Sequence, residues 1–528
     1  MGVVSSAYDF SPMKRFLIGS FFLTLPFMSG CATLDRTLSS RERDPRVHDE
    51  EALAAIRELS ERWETEPVPV GLEPQVFFDD ALIHERSENL ERRVGRAKKV
   101  SEDEPVIKPD RAAEGRATGV YISVLRNSAG LFQAWYDSGT TTYRGRGVGS
   151  FTSLGYAYSE DGLTWEKPRR FPSMNNIVMH PVFGTGVYYD RRERRGGHRY
   201  KAVYGTVGLQ GVSSREGLTF ARSRNGTSWR MYHDPHPLDE ARSDTLSNIF
   251  WDDEIQRYRL YTRTMTASGR SSSHYVRPYV GTSMLSVLAR ALFIPLGSQP
   301  WQHVSDTPAP GDGHIYGMTA FKHGPMYIGK IGLLQRSQIH YALALSRNGA
   351  DWDLEYAQAR HGIIPHGEPG SFDAGIIFPA STAPIEQDGQ WLLYYGADER
   401  PRGDPSVERT LPYSRSIGLA TIRKEGFFYL ESPPQENATM TTKAFELAGS
   451  ALRVNADARE GALRVTLLLV SDEGPDRVWD TSNPVRGDGT RMPVTWPRGE
   501  LSNLIGETVR LRYEMEDRVL LYGMQVVR

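Results

Sequence analysis

The sequence predicts an all-β fold, a five-bladed β-propeller followed by a C-terminal β-sandwich, and three observations predict it. Gly 50, Pro 32, Tyr 25, Phe 20 and Trp 10 make a chain rich in turn formers and aromatics, a mixture that favours sheet over helix. A motif of alternating strand, Ser, Asp-Gly or Asn-Gly, and Trp recurs along most of its length. Beyond about residue 431 the motif stops, and short alternating strands run to the end.

At 528 residues the chain is too long for one ordinary core, so two domains and an export segment are expected. The expected divisions are 1–31, 32–70, 71–431 and 432–528. Lys plus Arg at 63 against Asp plus Glu at 65 leaves no field to attract nucleic acid. The lone cysteine, Cys31, allows no intramolecular disulfide and no cysteine-based zinc site. It follows a basic start at Met13-Lys14-Arg15, an apolar run, and Met28-Ser29-Gly30. That is the pattern of a secretory signal, and its ending resembles a bacterial lipobox. The resemblance implies cleavage before Cys31, acylation of Cys31, and a lipid-anchored protein on the periplasmic or surface side of the cell envelope. Residues 32–70 read as a polar tether containing a helix between His48 and Trp63, with Leu53, Ile56 and Leu59 on one face.

The repeat occurs in full at Leu154–Trp165, Leu218–Trp229 and Tyr341–Trp352, and in degenerate form from Tyr279 and from Ile417. These starts are separated by 64, 61, 62 and 76 residues. Such a step holds four strands with their loops, one propeller blade. Asp-Gly and Asn-Gly supply the positive φ that tight turns require, and the Trp is placed to cover the turn. A strand pair precedes each copy, as in Gly119–Leu125 with Leu131–Tyr136. After Glu431, strands are expected at Ala451–Asn455, Leu463–Val470, Val509–Tyr513 and Val519–Tyr522.

In a propeller the first strand of each blade lines the axis, so the residues just before these strands are expected to gather at one end. Those segments hold Glu114 with Arg116, Asn176 with His180, Arg242 with Asp244, His314 with Tyr316, and His366 with Asp373. Glu114, Asp244 and Asp373 are the expected catalytic carboxylates, because glycosidic cleavage needs one protonated acid and one ionised partner. Arg116 and Arg242 would hold one of them charged. Asn176, His180, His314, Tyr316 and His366 are expected to contact sugar hydroxyls or faces. Asp244 and Asp373, each near a serine, also fit turn-capping roles, and Glu114 also fits a simple ion pair with Arg111 or Arg116. Histidine spacing gives no metal signature, and no cofactor is expected.

These residues resemble the five-bladed propeller glycosidases of families 32, 43, 68 and 130, over roughly Pro74 to Leu430. The resemblance is nearest to family-32-like bacterial proteins carrying Trp-Glu-Gly, Ser-Asp-Thr, Tyr-Gly-Met and Gly-Ser-Trp-Asp-Ser-Gly elements. Here the corresponding residues are Ala113-Glu114-Gly115, Ser243-Asp244-Thr245, Tyr316-Gly317-Met318 and Gly370-Ser371-Phe372-Asp373-Ala374-Gly375. The invertase signatures are absent, so fructan cleavage is not implied. The resemblance implies a glycoside hydrolase acting on an oligo- or polysaccharide. A family-130-like phosphorylase and a non-catalytic glycan-binding lipoprotein are the alternatives.

Overall fold

The computed structural model describes residues 50–114, 118–142, 149–169, 175–194, 198–205, 218–231, 245–264, 275–281, 314–358, 362–401, 415–471 and 473–528. These residues are almost all β, in curled antiparallel sheets. Cys31 and its preceding segment lie outside them, as do Arg116, Arg242, Asp244 and the side chains of Leu53 and His314.

The sheets follow the repeat. The first holds strands Thr118–Arg126, Phe132–Thr142, Gly149–Ser159 and Ile177–Met179. The second holds Phe183–Tyr189, Tyr200–Gly205, Leu218–Ser223 and Trp229–Met231, and the third Asn248–Asp252, Arg257–Thr264 and Tyr275–Gly281. A fourth antiparallel group, His314–His323, Met326–Gln335 and Gln338–Ser346, is joined to a fifth by one parallel pair, Ile339 with Ile376. The fifth group contains Ile376–Pro379, Gln390–Asp398 and Ser416–Arg423, and its outer strand is Lys98–Lys99 from the start of the chain.

The repeated turn is built alike in its three full copies. Ser159 Oγ accepts from Gly162 N at 2.8 Å, and Asp161 Oδ1 accepts from Leu163 N and Thr164 N at 2.7 Å each. Gly162 has φ of 79°, a conformation that costs glycine nothing. Ser223 with Asn225 and Ser346 with Asn348 repeat these bonds. Each turn glycine carbonyl also receives a donor from another group. Tyr394 donates to Gly162 O at 2.7 Å, Trp135 Nε1 to Gly226 O at 2.6 Å, and Tyr261 to Gly349 O at 2.7 Å. The motif therefore closes a hairpin and also joins neighbouring sheets.

The first strands of all five groups meet. Tyr121, Phe183, Leu246, Tyr316 and Phe378, one from each group or its leading edge, share one apolar cluster. Tyr121 lies edge-on to Phe183 at 5.9 Å and to Phe378 at 5.3 Å, and Tyr316 lies edge-on to Phe378 at 6.2 Å. Further along the same strands comes a polar belt. Ser123 Oγ lies 2.6 Å from Ser381 Oγ and accepts from Val187 N at 2.9 Å. Asn248 Nδ2 donates to Ala320 O at 2.9 Å and Ser381 O at 3.1 Å.

The C-terminal region is all β, as expected. Its strands form one ten-stranded sheet built on two long strands, Ala451–Leu469 and Thr508–Val527, which pair along their length and break register near Asn455 and Asp457. The sheet encloses its own core, in which Phe77, Val454, Leu467, Tyr513 and Leu521 are buried. Strands Gln75–Val76, Ile83–Arg86 and Glu91–Val94 pair into it, so it holds chain from both sides of the repeats. The expected helix is present as Glu50–Glu61, and Ala52, Ile56 and Leu59 bury against the fourth group beside Ile315 and Trp352. It is docked rather than part of a free tether.

Candidate functional site

Glu114 and Asp373 are each fully buried inside their own sheet group, with matching partners. Glu114 ends a short 3₁₀ turn, Ala112–Glu114. Its Oε1 accepts from Tyr136 OH at 2.6 Å and Asn176 Nδ2 at 2.9 Å, and its Oε2 from Lys167 Nζ at 2.8 Å and from the N–H groups of Asp110 and Arg111. Asp373 repeats the arrangement in the fifth group, with Tyr395 OH at 2.9 Å and Lys99 Nζ at 2.9 Å from Oδ2. Both carboxylates are thus held by a buried lysine and by the tyrosine at the same point of the second strand. This geometry suits a fixed counter-ion, because each charge is already matched. The Asn176 Nδ2 is used within the Glu114 cage, donating also to Tyr156 O at 3.3 Å, while its Oδ1 is buried without a partner among the described residues.

The remaining expected contact residues have local partners of their own where they are described. His180 Nδ1 is 3.0 Å from Ser153 Oγ. His366 Nδ1 faces the carbonyls of Asp373 and Ala374 at 3.2 and 3.1 Å, and its Nε2 is 3.1 Å from His340 Nδ1. Burial lowers the pKa of His366, against the raising effect of those carbonyls. Tyr316 belongs to the apolar cluster between the first strands. Asp244, Arg116 and Arg242 fall outside the described residues, as does the His314 side chain. No group of three or more His, Cys, Asp or Glu arranged to hold a metal occurs among the described residues.

Two acids that the stations do not contain stand out instead. Both lie on second strands: Asp137 in the middle of Phe132–Thr142, and Asp398 at the outgoing end of Gln390–Asp398. Asp137 Oδ2 accepts from Gly184 N at 3.0 Å and Oδ1 from Thr185 N at 3.5 Å, which joins the first sheet to the second. Gly119 faces it so closely that a Cβ there would lie 2.4 Å from the Asp137 Cβ. Burial pushes the Asp137 carboxyl up to about 7, against the two N–H groups and the charge of Arg415, which pull it down. A carboxyl so placed carries a proton near neutrality.

Asp398 is held by arginines. Arg415 Nε donates to its Oδ2 at 2.8 Å, Arg400 Nη2 to the same oxygen at 3.1 Å, and Arg400 N to Oδ1 at 3.0 Å. Arg415 O accepts from Thr118 N at 3.1 Å, so the ion pair sits where the fifth group meets the first. Around these acids the hydroxyls of Ser138, Thr185 and Ser416 are buried without a hydrogen-bond partner among the described residues. Buried hydroxyls normally find partners, so these three leave unused hydrogen-bonding capacity beside the acids among the described residues. The signal for this pair in the sequence is an acid soon after an aromatic pair, Trp135-Tyr136-Asp137 and Tyr394-Tyr395-Gly396-Ala397-Asp398.

Neither a family profile nor a curated protein matches the sequence. Solved structures that match parts of the chain at low identity and low TM-score include glycoside hydrolases of propeller-type families. A glycosyl hydrolase from Bacteroides ovatus is 14% identical, with 63% of this chain and 95% of that one covered at a TM-score of 0.41. A family 43 arabinoxylan arabinofuranohydrolase from Bacillus subtilis is 12% identical, with 80% and 99% covered at 0.33. A structure reported for the family 130 mannoside phosphorylases, as containing hydrolases that target β-1,2 mannosidic linkages in Candida mannan, is 15% identical, with 63% and 95% covered at 0.38.

Proposed function

We propose that the five sheet groups close into a five-bladed β-propeller and that the protein is a glycan-active enzyme, a glycoside hydrolase in which Asp137 is the proton donor. The closed ring is supported by the cluster and the polar belt to which all five first strands contribute. The carrying observation for the chemistry is the contrast between Asp137, a buried carboxyl held near neutral titration, and Asp398, paired to two arginines. A carboxyl that keeps its proton, set near a second carboxyl paired to cations, is the kind of arrangement general acid–base chemistry uses.

In this reading Asp137 gives its proton to the glycosidic oxygen as the bond to the anomeric carbon breaks. Water attacks that carbon, and the proton it sheds passes to a second carboxyl group acting as base, Asp398 or Asp244. Glu114 and Asp373 then serve as fixed charges that hold the tyrosines and lysines of their sheets. Asp137 is 1% exposed, so the reading requires the surrounding chain to open for substrate. The test is turnover on a panel of oligosaccharides, with and without phosphate, by the wild type and by Asp137→Asn, Asp398→Asn, Asp244→Asn and Glu114→Gln. Loss of a general acid lowers the rate by about 10²–10⁴-fold. Unchanged turnover in Asp137→Asn refutes the assignment, and strictly phosphate-dependent turnover selects the phosphorylase.

The envelope location is proposed from the lipobox at Cys31. Metabolic labelling with a fatty acid should mark the wild type and leave Cys31→Ser unlabelled in the soluble fraction. Labelling retained in Cys31→Ser would refute the anchor.

A further inference from the structure

Beyond the aromatic cluster and the polar belt, the outgoing ends of the first strands surround a cavity of about 650 Å³. It lies on the other side of that belt from Asp137, since its walls come from residues such as Leu125, Ile249 and Thr382, past Ser123, Asn248 and Ser381 in their strands. Small-molecule sites have volumes of roughly 300–1,000 Å³ and combine aromatic walls with a few convergent polar groups.

Six aromatic rings line it: Tyr188, Tyr189, Tyr200, Phe250, Trp251 and Phe321. Trp251 is fixed in place. The Arg192 guanidinium sits 3.1 Å from its ring centroid, Tyr258 meets it edge-on at 5.0 Å, and its Nε1 donates to Asp253 at 2.8 Å. The charges in the wall balance, with Arg126, Arg191 and Lys322 against Glu73, Asp253 and Glu254. Lys322 is paired with Glu254 at 3.0 Å. No net field therefore selects an ion. One rim is pinned from beneath, where buried Lys330 donates to Ala380 O at 2.6 Å and to Thr382 O.

Rigid aromatic faces, mixed donors and acceptors and a neutral charge balance match a ligand with apolar C–H faces and uncharged hydroxyls. We propose that this cavity is a second binding site, separate from the Asp137 site, for a neutral saccharide. It does not depend on the chemistry assigned to Asp137.

The test uses the full chain carrying Cys31→Ser, titrated calorimetrically and by tryptophan fluorescence. The probes are cellotetraose, xylotetraose and β-1,2-mannobiose, with glucuronate and inorganic phosphate as charged controls. Ala383→Trp places bulk at the exposed rim and removes no core contact, and Trp251→Phe removes the reporter ring while keeping an aromatic. The expected result is saturable binding of a neutral probe with fluorescence change that Trp251→Phe abolishes. Ala383→Trp should weaken that binding by more than about tenfold, equivalent to 1.4 kcal/mol, and Asp137→Asn should leave it intact. The proposal is overturned if no neutral probe binds, if a charged control binds better, or if binding survives Ala383→Trp and disappears in Asp137→Asn.

Discussion

Replacing Asp137 by Asn tests the proposed acid without relying on a known substrate. Its carboxyl titrates at about 7 in the folded protein against 3.8 for an ordinary aspartate, with burial as the leading cause. Between those two values the folded state binds more protons than the unfolded state, so stability falls as pH rises across that window. A proton bound in one state and not the other changes stability by about 1.4 kcal/mol for every pH step of one, so the wild type loses roughly 4 kcal/mol between about pH 4 and pH 7 through this one group. Asn cannot ionise, and its carbonyl can still accept from Gly184 N. Other titrating groups are common to both proteins and cancel in the difference. Urea unfolding of both proteins at intervals from pH 4 to 8 should therefore show Asp137→Asn gaining on the wild type as pH rises. Above pH 7 the difference should level off. Parallel curves would show that Asp137 is ionised throughout, and the assignment of a neutral-range proton donor would fail with them.

Two further outcomes follow from the buried charges. Glu114→Gln leaves Lys167 buried with only the more exposed Asp110 as an acidic partner and should cost about 3–5 kcal/mol of stability, measured by thermal or chemical unfolding, whereas a surface-like loss below about 1 kcal/mol would contradict the cage. Lys330, pushed down to about 7 by burial from 10.5, binds fewer protons folded than unfolded between those values. Wild-type stability should accordingly rise across pH 7 to 10, by at most about 5 kcal/mol, and Lys330→Met should remove that slope in the same unfolding assay.

Much of the fold was legible because its chemistry is local. A serine, an Asp-Gly or Asn-Gly and a tryptophan within seven residues are enough to specify the turn, and the hydrogen bonds at Ser159, Ser223 and Ser346 bear this out. The extra edge strands were not legible. Ile83–Arg86 and Glu91–Val94 are mostly charged, and what makes them strands is pairing with residues Met440–Thr442 and Phe428–Glu431 far along the chain. The equivalence of Glu114 and Asp373 was visible, but the direction of their side chains was not. Their lysines lie 53 and 274 residues away, and nothing in the local sequence announces a buried cation at that distance. Asp137 and Asp398 escaped notice for the complementary reason. They sit on second strands, and an expectation centred on first strands passes over them.

The short outer strand Lys98–Lys99 carries a consequence for how the protein is made. It completes the last sheet group by pairing with Ala420 and Thr421, while Gln75–Val76 pairs with Gly523 and Met524. The beginning of the chain must therefore wait, unpaired, until almost the whole polypeptide has been synthesised. Loss of Gln75–Val76 or of its partner residues would leave the other edge unpaired, and a nascent chain halted before residue 420 would have nothing to pair with Lys98–Lys99.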